Sequence, residues 1–244
     1  MLNEFWIGHD DFGFHPEDLV PESEMIDWDP DQAADHQAAF DADASLHRKL
    51  HRNLLPQPFA GDLKKASVFL LYGNPGVALS DYYDDHRNDR YAELCRMNLR
   101  GELDSFVWLH PDIATTGPGI YWRQTFKALA KEITQRTGDL PEASFNRISR
   151  SVALVEAGAY HSKQTPGERL FQLRSSRVAG DFARNELRSR ALRGECFILV
   201  WRRARFWGIE ADANILVRPP ARAQGRYFEQ CEHGAILQQI LSGG

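Results

Sequence analysis

Four short apolar runs, separated by stretches with helical periodicity, constrain the fold of this chain more than any other feature. They cover residues 67–72, 151–155, 196–201 and 213–217. Short runs without polar alternation are typical of strands buried on both faces of a sheet. Strands that alternate with helices pair in parallel through crossovers. The sequence therefore predicts an α/β fold, a three-layer α/β/α arrangement with a central four-stranded parallel sheet.

Other segments give weaker structural signals. Apolar residues at helical spacing predict a helix over 119–136, and further helices are expected over 168–193 and 32–51. Residues 105–109 form another short strand candidate, closed by His110 and Pro111. The proline-rich segment 54–61 predicts a loop.

The charge of the chain is unevenly distributed. The formal net charge is −5, yet residues 1–50 hold 13 acidic and 2 basic side chains, and residues 141–230 hold 9 acidic and 16 basic ones. A near-neutral average thus conceals an acidic head and an arginine-rich second half. We predict an acidic, partly helical N-terminal extension over 1–53 and an α/β domain over 54–244.

Composition excludes several classes of protein. The hydrophobic fraction is 43%, the charged fraction is 26%, and no stretch approaches the roughly 20 consecutive apolar residues of a membrane helix. The acidic N-terminus does not resemble a secretory signal, so a cytoplasmic location and no membrane partner are expected. Cys95, Cys196 and Cys231 are widely spaced, which predicts reduced core thiols and no metal site.

Each of the four predicted strands ends in polar or conformationally special residues. These strand ends are residues 73–76, 159–163, 201–203 and 218–220. Ligands of parallel α/β sheets bind at the carboxyl ends of the strands. The sequence therefore predicts a polar pocket made by these four segments.

Three of these segments carry a family resemblance. Tyr72-Gly-Asn-Pro-Gly76, Phe197–Trp201 with the following 204–207, and Val217-Arg-Pro-Pro220 occur in the order and spacing of motifs in the uracil-DNA glycosylase superfamily. The first motif resembles that of the mismatch-specific thymine/uracil branch. The resemblance covers about residues 54–228 and implies a uracil-DNA-glycosylase-like domain.

The chain also departs from the family pattern. Arg202 stands where the family has glycine, and Arg218 where it has histidine or asparagine. The second strand ends in Tyr160-His161-Ser162 rather than an apolar–Asn pair. This combination is similar to a branch that serves phage defence by excising glucosylated hydroxymethylcytosine.

The resemblance implies a monomeric DNA glycosylase that needs no cofactor or metal. Its partner would be double-stranded DNA containing a modified or mismatched base, and its product an abasic site. The expected substrate is a flipped modified pyrimidine, glucosylated 5-hydroxymethylcytosine in phage DNA being the specific hypothesis. The alternatives are a uracil/thymine mismatch repair glycosylase and, in another class, a non-catalytic nucleic-acid-binding module. A nucleotide-binding enzyme is disfavoured because glycine-rich phosphate motifs are absent.

The catalytic prediction centres on the first strand end. Asn74 is expected to place the attacking water, and Gly73, Pro75 and Gly76 are expected to bring the backbone close to the substrate. A stronger base nearby is an open alternative. The candidates for that base are Asp81, Asp84 and Asp85, although runs of charge are usually solvated.

Aromatic and polar neighbours complete the predicted base pocket. Tyr82 or Tyr83 would stack on the flipped base. His161 is a second catalytic candidate, because an imidazole could donate a proton to the leaving base. Tyr160 and Ser162 beside it are predicted to bind substrate.

The remaining predicted contacts are with the nucleic acid. Arg218 is expected to bind the base or a flanking phosphate. Pro219 and Pro220 would press on the DNA backbone as a rigid wedge, with Lys163, Arg222 and other arginines between 169 and 226 contacting phosphates.

Overall fold

The computed structural model describes residues 2–222, 225 and 227–242, which form two compact units. Unit 1 comprises Met1–Phe59, Gly73–Glu102 and Glu156–Gly180. Unit 2 comprises Ala60–Tyr72, Leu103–Val155 and Asp181–Gly244. No helix in the described part of the chain is long and apolar enough to cross a membrane.

In the described part of the chain, seven strands form two sheets. They are β1 (Met25–Ile26), β2 (Leu50–His51), β3 (Phe59–Ala60), β4 (Val68–Leu71), β5 (Val152–Val155), β6 (Phe197–Val200) and β7 (Ile215–Val217). β1 and β2 pair in parallel within unit 1. The larger sheet has the order β3-β5-β4-β6-β7, and only Phe59 among its residues is assigned to unit 1.

The four predicted strands are β4, β5, β6 and β7, and their parallel pairing is confirmed. In register, Leu71 lies opposite both Val155 and Val200, and Val200 lies opposite Val217. Every residue of β4, β5 and β6 is buried, as their uninterrupted apolar sequence indicates. The carboxyl ends of the four strands therefore lie level along one edge of the sheet.

Two local predictions are wrong. The sheet has five strands rather than four, because segment 54–61 contains β3 after its last proline, at an edge where only one neighbour is needed. Residues 107–109 form a buried 3-10 helix rather than a strand. A short buried apolar run has no periodicity that separates these two states.

Ten α-helices lie in the described part of the chain. They are α1 (Leu2–Trp6), α2 (Gln37–Ala42), α3 (Leu79–Arg87), α4 (Asp89–Leu99), α5 (Gly117–Thr137), α6 (Pro141–Ser151), α7 (Arg174–Asp181), α8 (Arg188–Leu192), α9 (Ala204–Trp207) and α10 (Gln230–Ser242). The predicted helix over 119–136 is α5, which Thr116 caps at its N-terminus and Gly138, at φ +74°, ends.

The two other predicted helices are interrupted. Segment 168–193 contains a 3-10 helix over Gly167–Gln172, then α7 and α8 joined by a π-helical turn over Phe182–Leu187. Segment 32–51 contains α2 but begins in a 3-10 helix and ends in β2. Cys95 and Cys196 are buried as predicted, whereas Cys231 is exposed because α10 buries its other face.

The acidic head is part of the core of unit 1. Leu2, Trp6 and Phe40 are buried there. Buried Asp18 accepts hydrogen bonds from the Tyr160 hydroxyl, at 2.5 Å, and from the backbone N–H of Ser175 at the start of α7, at 3.0 Å. The compact units are therefore not divided at the predicted boundary between residues 53 and 54.

Candidate active site

The two predicted loops that follow β4 and β5 contact each other within unit 1. The Gly73 carbonyl accepts a hydrogen bond from the Gly158 N–H at 2.9 Å, and the Pro75 carbonyl accepts one from the Ser162 N–H at 3.2 Å. A Cβ at Gly158 would lie 2.4 Å from the Leu170 side chain, so a larger residue there would require Leu170 to shift. A Cβ at Gly76 would meet no atom within 4 Å, which leaves open space beside this end of the loop.

Asn74 is half-buried between these loops, and its amide is oriented at both ends. Its Nδ2 donates to the Ser162 hydroxyl and to the Pro75 carbonyl, each at 2.9 Å. Its Oδ1 accepts from the Thr165 hydroxyl at 2.8 Å. Because an amide oxygen has two lone pairs, Oδ1 keeps one acceptor position for a water. Sequence reasoning missed Thr165, which is an ordinary loop threonine in the sequence.

His161 is fully enclosed rather than directed at a ligand. Its Nδ1 lies 2.7 Å from the Gly76 carbonyl and its Nε2 lies 3.2 Å from the Leu55 carbonyl. Burial lowers the pKa of His161 to about 4, so the ring is neutral at pH 7. The imidazole therefore holds the loop backbone in place and does not match the predicted proton donor to a leaving base.

The three aspartates near the motif are buried on α3 instead of forming a solvated face. Their spacing puts Asp81, Asp84 and Asp85 on one side of the helix. Asp81 accepts a hydrogen bond from the Ala78 N–H, and Asp85 accepts one from the Leu55 N–H, each at 2.7 Å. Burial raises the pKa of Asp81 to about 7 and that of Asp85 well above its usual range. These two carboxyl groups therefore hold the backbone at Ala78 and Leu55 in place.

The burial of Asp81 leads to a pH-dependent stability prediction. An acid whose pKa is raised on folding stabilises the protein while protonated, and this contribution is lost as the pH rises through about 7. We expect Asp81→Asn, which keeps an oxygen acceptor for Ala78, to gain stability relative to the wild type as the pH rises from 5 to about 7, by up to about 1.4 kcal/mol per pH unit, and the gain to level off above that pH. Urea titrations at several pH values measure the difference.

The matched control for Asp81→Asn is Asp89→Asn, because Asp89 is exposed in the first turn of the next helix. Its stability relative to the wild type should stay constant over the same pH range. A constant difference for Asp81→Asn as well would contradict a buried carboxyl with a raised pKa.

Only one of the three predicted tyrosines is open to solvent. The Tyr82 ring is buried beside Trp28, and its hydroxyl lies 2.8 Å from Nδ1 of His51. Tyr160 is buried and bonded to Asp18. Tyr83 is 65% exposed and is the one of the three that a nucleic acid can reach in this structure. Tyr82 and Tyr160 therefore anchor unit 1.

The acidic head neutralises many basic side chains of unit 1. Lys163, a predicted DNA contact, donates to Asp41 at 3.0 Å and lies over the Phe40 ring. The other head pairs in unit 1 include Arg52–Asp27, Arg87–Asp31, Arg96–Asp11, Arg100–Asp10, Arg169–Glu24 and Arg174–Glu17. Phosphate contacts through these residues would have to replace carboxylates.

Unit 2 contains the predicted contacts that follow β7. Arg218 is buried, pairs with Glu232 of α10, and donates to the carbonyls of Gly225 and Tyr227. A guanidinium with these partners is not available to a phosphate. Pro219 and Pro220 are exposed, as a wedge requires, whereas the Arg222 side chain lies outside the described residues.

Comparison with known proteins gives no relative for this arrangement. No protein-family model, curated protein or solved structure matches the chain. In the described part of the chain, no three His, Cys, Asp or Glu side chains form a group that could hold a metal ion.

Proposed function

We propose that the protein is a DNA glycosylase that hydrolyses the N-glycosidic bond of a flipped, modified pyrimidine and leaves an abasic site. The oriented amide of Asn74, on the loop that follows a central strand, carries this proposal. The motif resemblance to the uracil-DNA glycosylase superfamily supplies the reaction class. The same proposal includes a three-layer glycosylase-like architecture, a monomeric state and a cytoplasmic location.

The proposed chemistry relies on positioning and electrostatics. The bond between C1′ and the ring nitrogen breaks, and its electron pair leaves with the base. Asn74 Oδ1 accepts a hydrogen bond from a water whose oxygen then bonds to the cationic C1′, and the surplus proton passes to the released base or to solvent. An amide is a sufficient acceptor because the electrophile has already formed when the water attacks.

The fixed geometry of Asn74 makes it a better candidate than the nearby aspartates. Ser162 and Thr165 set the plane of the amide, so the remaining lone pair of Oδ1 has one direction. Asp81 and Asp85 are instead buried and bonded to backbone N–H groups. His161 has only a positioning role in this proposal, through its contact with the Gly76 carbonyl.

A panel of duplex oligonucleotides tests the proposed activity. The duplexes carry uracil, a G·T mismatch, 5-hydroxymethylcytosine or its glucosylated form, and alkali cleaves any abasic site. Cleavage of the glucosylated duplex is the expected result. Cleavage of uracil or of the mismatch alone would replace phage defence by base-excision repair. Binding without cleavage of any duplex would overturn the enzyme proposal in favour of a non-catalytic binding module.

A further inference from the structure

Arg202, which stands in the position of the family glycine, has a fixed backbone at the carboxyl end of β6. The N–H groups of Trp201 and Arg202 both lie within hydrogen-bond distance of the Leu71 carbonyl, at 2.9 and 3.2 Å. The next residue, Arg203, has φ +57°, and α9 begins immediately after it. The chain thus turns sharply at Arg203, in a conformation that non-glycine residues seldom adopt.

The guanidinium of Arg202 is held on an aromatic face. It lies 4.3 Å from the ring centroid of Tyr72, the first residue of the Asn-Pro-Gly motif segment. The Tyr72 hydroxyl lies 2.8 Å from that of Tyr121, and the rings of Trp122 and Trp201 pack against the Tyr72 ring. Stacking on a ring that is itself fixed restricts the rotamers of the arginine before any ligand binds.

One hydrogen-bond donor of Arg202 nevertheless lacks an acceptor among the described residues. Its Nε is buried, and no described residue accepts a hydrogen bond from it. Arg218 and Arg190 differ in this respect, because Arg218 pairs with Glu232 and Arg190 donates to the carbonyls of Leu63 and Ala66. The buried Nε of Arg123 also has no acceptor among the described residues, but the terminal nitrogens of that guanidinium pair with Glu142. A buried donor without a partner is costly, so its presence calls for an explanation, such as a ligand.

We propose that Arg202 binds a phosphodiester oxygen of the DNA backbone. The strand-end edge is where ligands of parallel sheets bind, and a guanidinium presents a planar fork of donors to phosphate. Unit 2 contains 18 Lys and Arg against 13 Asp and Glu, so its net charge favours a polyanion, whereas unit 1 has 11 against 21. In this proposal Arg202, rather than Arg218, makes the predicted contact with a phosphate. The inference rests on the DNA partner of the proposed function, but not on catalysis.

Salt-dependent binding to undamaged duplex DNA tests this site. We expect Arg202→Gln to weaken binding about tenfold at low salt and to reduce the slope of log K against log salt by about one. Arg202→Lys keeps the charge but loses the planar fork, so its affinity for DNA should lie between that of Arg202→Gln and that of the wild type. Circular dichroism checks that each variant is folded.

The matched control is Arg205→Gln, which removes the same charge from an exposed side chain three residues further along. Equal losses for Arg205→Gln and Arg202→Gln would overturn a specific site. An unchanged affinity with slower base release would overturn it too, since Arg202 would then act on the departing base. If no duplex is cleaved but Arg202→Gln still weakens binding, the glycosylase proposal fails and the phosphate site stands. If the wild type does not bind duplex DNA, both fail.

Discussion

Replacing Asn74 by alanine is expected to lower glycosylase turnover about 100- to 10 000-fold, while the affinity for duplex DNA stays close to that of the wild type. Loss of one positioned group that handles a reacting water typically has an effect of this size. Asn74 contributes no charge to phosphate binding, so the loss should appear in the chemical step. Single-turnover rates of base release on the duplex that the panel identifies, with binding measured in parallel, separate the two quantities.

Variants of the residues that contact Asn74 should have smaller effects on turnover than Asn74→Ala. Thr165→Val removes the donor to Oδ1, and Ser162→Ala removes the hydroxyl acceptor of Nδ2, so each should slow turnover less than Asn74→Ala does. Asn146→Ala is the control for loss of an amide, because Asn146 is exposed on α6. If Asn74→Ala keeps its turnover, another group must position the attacking water.

The sequence was sufficient to predict four of the five strands of the larger sheet. Each of β4, β5, β6 and β7 is an apolar run bounded by polar or turn residues, and hydrophobic burial alone selects that pattern. The contact between the loop at Gly73–Gly76 and the one ending at Lys163 was predictable too, since both follow neighbouring strands. Asn74 and Ser162 therefore meet as the sequence indicates.

The burial of individual polar side chains could not be predicted. Tyr160 and His161 are adjacent to Ser162 in a strand-end motif, yet Tyr160 bonds to Asp18, 142 residues away, and His161 contacts the backbone of Leu55. Such partners lie far away along the chain, and no local pattern in the sequence contains that information. The same head turns an apparent basic surface around Lys163 into a set of ion pairs.

The buried pair of Arg218 and Glu232 gives the largest stability effect expected in unit 2. Arg218 lies over the Trp201 ring, and its Nε donates to Glu232 Oε1 at 2.5 Å. Removing one partner of a buried ion pair leaves the other charge without compensation and typically costs 3–5 kcal/mol, about half or more of the stability of many domains. We therefore expect Arg218→Met and Glu232→Leu each to lower the free energy of unfolding by about 3–5 kcal/mol.

A double-variant cycle distinguishes this ion pair from simple loss of packing. Because two apolar side chains of similar volume leave no buried charge, Arg218→Met with Glu232→Leu should cost clearly less than the sum of the single variants. Urea unfolding followed by tryptophan fluorescence measures all four proteins, and an unchanged denaturant slope keeps the values comparable. Additive losses would show that the two side chains act independently.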